Sequence, residues 1–94
     1  MSNKEHQEKL LKLTRLADDI ATDFTHSIRR HEPDLVCSTR AIDGCDLRNS
    51  RIVLAKVLSR LSIEIKANYR VEIKKTGKRL PNLYSIHLQS EFND

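Results

Sequence analysis

The chain has 94 residues, of which 38% are hydrophobic and 32% are charged, and it contains no tryptophan. This length supports one domain with a mainly aliphatic core and excludes a second core of useful size. No apolar run approaches the roughly 18 residues of a membrane span. The polar start of the chain lacks the pattern of a signal peptide, so we expect a cytoplasmic protein, no membrane contact and reduced cysteines.

Positive charge is concentrated in one third of the chain. The net charge is +4 overall, but residues 48–79 contain ten Lys or Arg against two Asp or Glu, a local net charge of +8. Residues 1–47 and 80–94 each have a net charge of −2. Such clustering indicates a polyanion partner more strongly than a high isoelectric point does, and it favours nucleic acid as that partner.

The first predicted element is a long helix from Lys4 to about Arg30, ended by Pro33. Its apolar residues recur at spacings of three and four and fit a heptad seam over about two heptads, so we expect packing mainly within the domain. A helix of this length leaves surface for a homodimer with two-fold symmetry. The apolar stripe consists of Leu10, Leu13, Ala17, Ile20 and Phe24, widened by Leu16 and Ile28.

Residues 34–47 are ambiguous. Their apolar residues, which include Ala41 and Ile42, fit the spacing of either a short helix or a short strand. A helix here would form a helix-turn-helix with the element that follows. A strand would give a different α+β fold and would favour a role in protein interaction.

A second helix is predicted from about residue 49, where Asn49 or Ser50 can act as its cap. An alternating pattern overlaps its end from residue 61, so we expect the change from helix to strand between Ser62 and Asn68. The apolar face of this helix contains Leu54, Val57, Leu58, Leu61 and Ile65. The opposite face contains Asn49, Ile52, Lys56, Ser59 and Arg60.

The last predicted element is a β-hairpin with a basic turn. Apolar residues alternate with polar ones over residues 69–73 and again over 84–88, so each arm has one face to bury and one face for water. Gly77 and Pro81 between the arms are typical of a turn. Residues 89–94 are predicted to be a frayed tail. The cations at or beside the tip are Lys74, Lys75, Lys78 and Arg79.

The order of long helix, short element, second helix and basic hairpin resembles a winged helix-turn-helix domain over residues 34–88. The similarity is greatest in the wing and its return strand, as found in winged-helix proteins of phage and plasmid replication or regulation. Residues 38–47 depart from the usual pattern of a small residue followed by glycine. The residues that carry the resemblance are Gly77, Arg79, Pro81, Asn82, Tyr84 and Ile86.

The resemblance implies an α+β, winged-helix-like fold in which the second helix enters the major groove of duplex DNA. The amides at the start of that helix would favour phosphate, and the hairpin would contact the DNA backbone or the minor groove. The predicted contact residues are Arg48, Asn49, Arg51, Lys56, Ser59, Arg60, Lys74, Lys75, Lys78 and Arg79.

These observations predict a DNA-binding regulator of transcription or replication. The alternatives are a protein-interaction module, such as a phage-type inhibitor or an adaptor, and an RNA-binding protein, although the stacking aromatic residues of an RNA-recognition motif are absent from the sequence.

Enzymatic activity is not expected, because the sequence contains no nucleophile turn, glycine-rich phosphate loop or metalloprotease motif. We interpret Asp18, Asp19 and Asp23, which share one helix, as a charged outer face rather than as a nuclease metal site.

No cofactor or metal is predicted either. Two histidines and two cysteines have the side-chain types that bind zinc, but their spacing matches no common zinc motif. A disulfide between the two cysteines is equally weakly supported. The residues concerned are His26, His31, Cys37 and Cys45.

Overall fold

The computed structural model describes residues 2–31, 37–42, 45–75 and 84–91. The chain has an α+β fold, as predicted, with a long N-terminal helix, two further helices and an antiparallel three-stranded sheet among these residues. The elements in chain order are α1 (Ser2–His31), β1 (Cys37–Ile42), α2 (Leu47–Arg60), α3 (Ile63–Asn68), β2 (Tyr69–Lys75) and β3 (Tyr84–Ser90).

The sheet has the strand order β1-β3-β2, so β3 lies in the centre. Val71 pairs with Leu88 and Ile73 pairs with Ile86, which places the apolar residues of both hairpin arms on one face, as predicted. Both strands extend further than expected. β2 continues to Lys75, and β3 continues to Ser90 instead of ending before a frayed tail.

Residues 37–42 are a strand, which decides between the two predictions for this region. Its residues pair with β3 along its whole length, with Cys37 opposite Gln89 and Ile42 opposite Tyr84. Six residues are too few to show whether apolar residues repeat with the period of a helix or of a strand. Pairing with the central strand provides hydrogen-bond partners for backbone N–H and C=O groups that an isolated turn of helix would leave unpaired. Within the described residues no helix therefore lies between α1 and α2, and the expected partner for a helix-turn-helix is missing there.

The second helix begins earlier than predicted and is followed by a separate short helix. Its cap is Asp46, whose carboxylate accepts a hydrogen bond from the amide of Asn49 at 2.8 Å, so neither Asn49 nor Ser50 serves as the cap. Ser62 caps α3 by accepting a hydrogen bond from the amide of Ile65 at 3.1 Å. The strand starts directly after α3, at the end of the predicted interval.

One side of α1 packs against the core along much of the length of the helix. The predicted stripe is buried from Leu13 to Ile28, whereas Leu10 and Leu16 are only partly covered and residues 3–9 are exposed. A 30-residue helix is about 45 Å long, close to the longest dimension of the molecule, 49 Å. The first turns of α1 therefore extend past the core. Residues that cover the stripe include Ile42, Val53, Val57, Leu61, Ile86 and Leu88.

Ser50 is fully buried on the core side of α2, and its hydroxyl has no hydrogen-bond partner among the described residues. Replacing this side chain by alanine removes an unpaired polar group without opening a large cavity. We expect Ser50→Ala to raise the free energy of unfolding by up to about 1 kcal/mol. Ile20→Ala, which empties a fully buried site on α1, should lower it by about 2–5 kcal/mol.

Urea denaturation followed by circular dichroism measures both changes. If Ser50→Ala lowered the free energy of unfolding by more than about 1 kcal/mol, the hydroxyl would have to be hydrogen-bonded in the folded chain, contrary to its lack of a partner among the described residues.

Candidate nucleic-acid interface

The outward face of α2 differs from the face that apolar spacing predicts. Val53 is fully buried and Leu58 is only partly buried, because the core side is centred on Val53 and Val57. This rotation leaves Arg48 and Arg51 exposed. It also places Arg60 beside Asp18 of α1.

Arg60 is held in an ion pair and does not belong to an open basic face. Its Nε donates to Asp18 of α1, and its Nη1 donates to the carbonyl oxygen of Lys56 at 2.9 Å and to Ser59 Oγ at 3.3 Å. A guanidinium that is already paired gains less from a phosphate than a free one. We therefore remove Arg60 from the predicted contact set, together with its partly buried neighbour Lys56.

Arg40 shows a related arrangement that sequence analysis missed. Its Nη2 donates to Asp19 Oδ2 at 2.8 Å, and its Nη1 contacts Asp23, so it ties β1 to α1. The acidic residues of α1 are thus more than a solvated face, because three of them hold arginines from β1 and α2. The Arg40–Asp19 and Arg60–Asp18 pairs join positions 21 and 42 residues apart in the chain, which helical spacing alone cannot reveal.

The exposed cations at the start of α2 and at the end of β2, Arg48, Arg51, Lys74 and Lys75, lie at one end of the molecule. Ile42, Tyr84 and Lys75 form one row across the sheet at its hairpin end. α2 starts at Leu47, only five residues after Ile42, and its other end is remote from this row because Arg60 lines a cleft with Tyr69. The start of α2 therefore lies at the hairpin end of the sheet.

We call Arg48, Arg51, Lys74 and Lys75 the basic end. All four are exposed, and none forms an ion pair with another described residue. Arg40, Arg60 and Arg70, in contrast, each contact a carboxylate. The predicted contact residues Lys78 and Arg79 lie outside the described residues. Asn49 is partly buried and Ser59 is exposed further along α2.

The helix N-terminus offers less to a phosphate than predicted. The Asp46 carboxylate already accepts from the Asn49 amide and places a negative charge beside the first turn of α2. The Asn49 amide is therefore not free for a phosphate, and the Asp46 charge repels an anion beside it. Lys9 of α1 lies close enough to Cys45, the residue before Asp46, to affect the pKa of its thiol. Lys9 therefore adds to this end of the molecule a cation that sequence analysis did not assign.

The residues considered for a metal site do not come together in the described part of the chain. Among those residues, no group of three or more His, Cys, Asp or Glu is placed to hold a metal ion. Cys37 is exposed, Cys45 is buried, and both are free thiols. His31 is described only as the last residue of α1. Within the described residues, no helix has both the length and the apolar character needed to cross a bilayer.

Comparison with known proteins gives no relative: no family model, no curated protein and no solved structure matches this chain. Its function is therefore inferred from its residues and their geometry.

The two cysteines should differ in reactivity. Burial raises the pKa of the Cys45 thiol, the Asp46 charge raises this pKa further, and Lys9 opposes both. Since the thiolate is the nucleophile, a raised pKa means less reactive Cys45 at neutral pH and a gain in rate as pH increases. We expect iodoacetamide to modify exposed Cys37 at least about tenfold faster. Peptide mass spectrometry over time measures both rates, and equal rates at neutral pH would contradict the burial of Cys45.

Proposed function

We propose that the chain binds duplex DNA with its basic end and acts in regulation of transcription or replication without catalysing a reaction. The observation that carries this proposal is the contrast between paired and unpaired cations. Arginines beside the acidic side of α1 are neutralised, whereas Arg48, Arg51, Lys74 and Lys75 are exposed and unpaired within the described chain. Cations that are not engaged by the protein are the ones that release counterions when they meet phosphate.

The winged-helix proposal now involves a different pair of helices from the pair expected from the sequence. α2 and α3 are consecutive and joined by Leu61 and Ser62, so they are the candidate helix-turn-helix pair. In helix-turn-helix proteins the second helix enters the major groove. Here that helix has six residues and carries one cation, Lys66, and one carboxylate, Glu64. Most of the affinity would then come from α2 and β2 through the phosphates.

Binding of this kind should be strongly dependent on salt and only weakly dependent on sequence. We expect Arg48→Ala/Arg51→Ala to weaken binding to a short labelled duplex at least about tenfold at 50 mM salt. The slope of log affinity against log salt should fall by about two, one for each phosphate that is no longer neutralised. Lys74→Ala/Lys75→Ala should have a similar effect. Fluorescence anisotropy between about 50 and 200 mM salt measures affinity and slope.

The matched control is Arg29→Ala/Arg30→Ala, which removes the same charge from the exposed C-terminal part of α1. It should leave the affinity and the slope close to those of the unmodified chain. Equal weakening in all three variants would mean that only net charge matters and would reject a localised interface. Structured RNA that competes as well as duplex DNA would favour the RNA-binding alternative.

A homodimer through the first turns of α1 is a further part of the proposal. Leu11 is 49% exposed, Leu10 is partly buried, and the helix extends past its own core at this point. A dimer would cover these leucines and would present two basic ends. The same surface suits the alternative of a protein partner, which the strand at Cys37–Ile42 also favours.

Leu11→Lys places a charge on this surface without touching the core. If α1 mediates a dimer, sedimentation equilibrium should show dimers for the unmodified chain and at least about tenfold weaker association for Leu11→Lys. Lys12→Ala, on the neighbouring exposed position, serves as the control. A monomeric unmodified chain at all concentrations would reject the dimer.

A further inference from the structure

A cleft lies at the end of the molecule away from the basic end. It has a volume of about 340 Å³ and separates the C-terminal part of α1 from α3 and the start of β2. This volume is at the lower limit of small-molecule sites, about 300–1,000 Å³. Ile28, Ile65 and Tyr69 give the cleft an apolar wall. A second depression continues along α1 and shares Thr25, Arg29 and Arg60 with it.

The charges around this cleft favour a ligand with a single negative charge. Arg29 is exposed and forms no ion pair within the described chain. Arg60 also lines the cleft, but its guanidinium is held by Asp18. Glu64 adds a carboxylate to the rim. The unpaired Arg29 guanidinium can pair with one anionic group, and the Glu64 carboxylate repels further negative charge, so the cleft disfavours a polyanion such as nucleic acid.

Hydrogen-bonding groups are present beside the apolar wall. The hydroxyl of Thr25 donates to the carbonyl oxygen of Ala21 at 2.8 Å, so its oxygen remains available as an acceptor. Ser62 Oγ accepts from the Ile65 amide at 3.1 Å, so its own O–H remains available as a donor. An apolar wall with a few polar groups and one charge is the usual composition of a small-molecule site.

We propose that this cleft binds a small organic anion that has one negative charge and an apolar body. The charge pairs with Arg29, and the body packs against Ile28, Ile65 and Tyr69. A guanidinium is well suited to this role, since it binds carboxylates and sulfonates through two parallel hydrogen bonds. The proposal uses none of the four residues of the basic end, so it stands or fails independently of DNA binding.

The probe for the test is 8-anilino-1-naphthalenesulfonate, an organic monoanion that becomes fluorescent in apolar surroundings. We expect saturable binding of one probe per chain, and backbone amide shifts in NMR spectra confined to the residues around the cleft, such as Thr25, Ile65 and Asn68. Arg29→Ala should raise the dissociation constant at least about tenfold, because it removes the charge-assisted hydrogen bonds to the anion. The neutral analogue N-phenyl-1-naphthylamine should bind more weakly than the anion.

The matched control is Arg30→Ala, which removes an equal charge at the next position of α1 and does not line this cleft. It should leave the dissociation constant within about twofold of the unmodified chain. Arg48→Ala/Arg51→Ala should do the same. Equal effects of Arg29→Ala and Arg30→Ala would overturn the proposal, as would unsaturable binding or amide shifts centred on the basic end.

Discussion

The burial of one side of α1 against both α2 and the sheet is the interaction on which the rest of the structure depends. Ala17, Ile20 and Phe24 are completely inaccessible to solvent, and a large apolar side chain contributes about 1.5–3 kcal/mol when fully buried. The exposed ion pairs beside the stripe contribute about 0–1 kcal/mol each. Apolar burial therefore determines that the elements pack on α1, and the ion pairs influence how they are oriented.

That orientation accounts for the two kinds of cation in the structure. The core side of α2 is fixed by Val53 and Val57, and the acidic residues of α1 then lie beside the part of α2 that carries Arg60. Asp19 and Asp23 face β1 in the same way and hold Arg40. The start of α2 is beyond the reach of these carboxylates. Arg48 and Arg51 are left without them, which makes the basic end a consequence of packing as much as of composition.

Elements with long, regular periods could be predicted from the sequence, and short ones could not. The apolar stripe of α1 and the alternation in the hairpin arms were predicted correctly. In each, apolar residues repeat with one period several times and lie on a single face that packs against the core. Strand β1 has six residues, and its conformation depends on pairing with β3, some 45 positions later. The short helix α3 was missed because its apolar residues also fit the alternation of the strand that follows it.

The candidate site was predicted in part for a related reason. Apolar spacing cannot indicate that Ser50 is buried, so the predicted face of α2 was rotated away from the observed one. The pairing of Arg60 and the cap at Asp46 are contacts that only the folded chain creates. Arg48, Arg51, Lys74 and Lys75 are exposed, which their predicted role as contact residues requires, and this exposure follows from local charge and from the position of the two lysines at the end of β2.

α2 connects the basic end to the cleft, so α2 is the element through which the ligand proposed for the cleft would be coupled to the proposed DNA binding. It would affect DNA binding only if it favoured a different arrangement of α2, and the effect is limited by the difference in its affinity for the two arrangements. The interaction most open to such a ligand is the ion pair between Arg60 and Asp18. An exposed pair of this kind contributes no more than about 1 kcal/mol.

Even complete disruption of this ion pair would change the affinity of the proposed DNA binding by about fivefold at most, since a tenfold change requires about 1.4 kcal/mol. Val53 and Val57 are fully buried in the core and keep α2 in place. Displacing them would cost far more free energy than breaking the ion pair. We therefore expect the two proposed binding surfaces to act nearly independently.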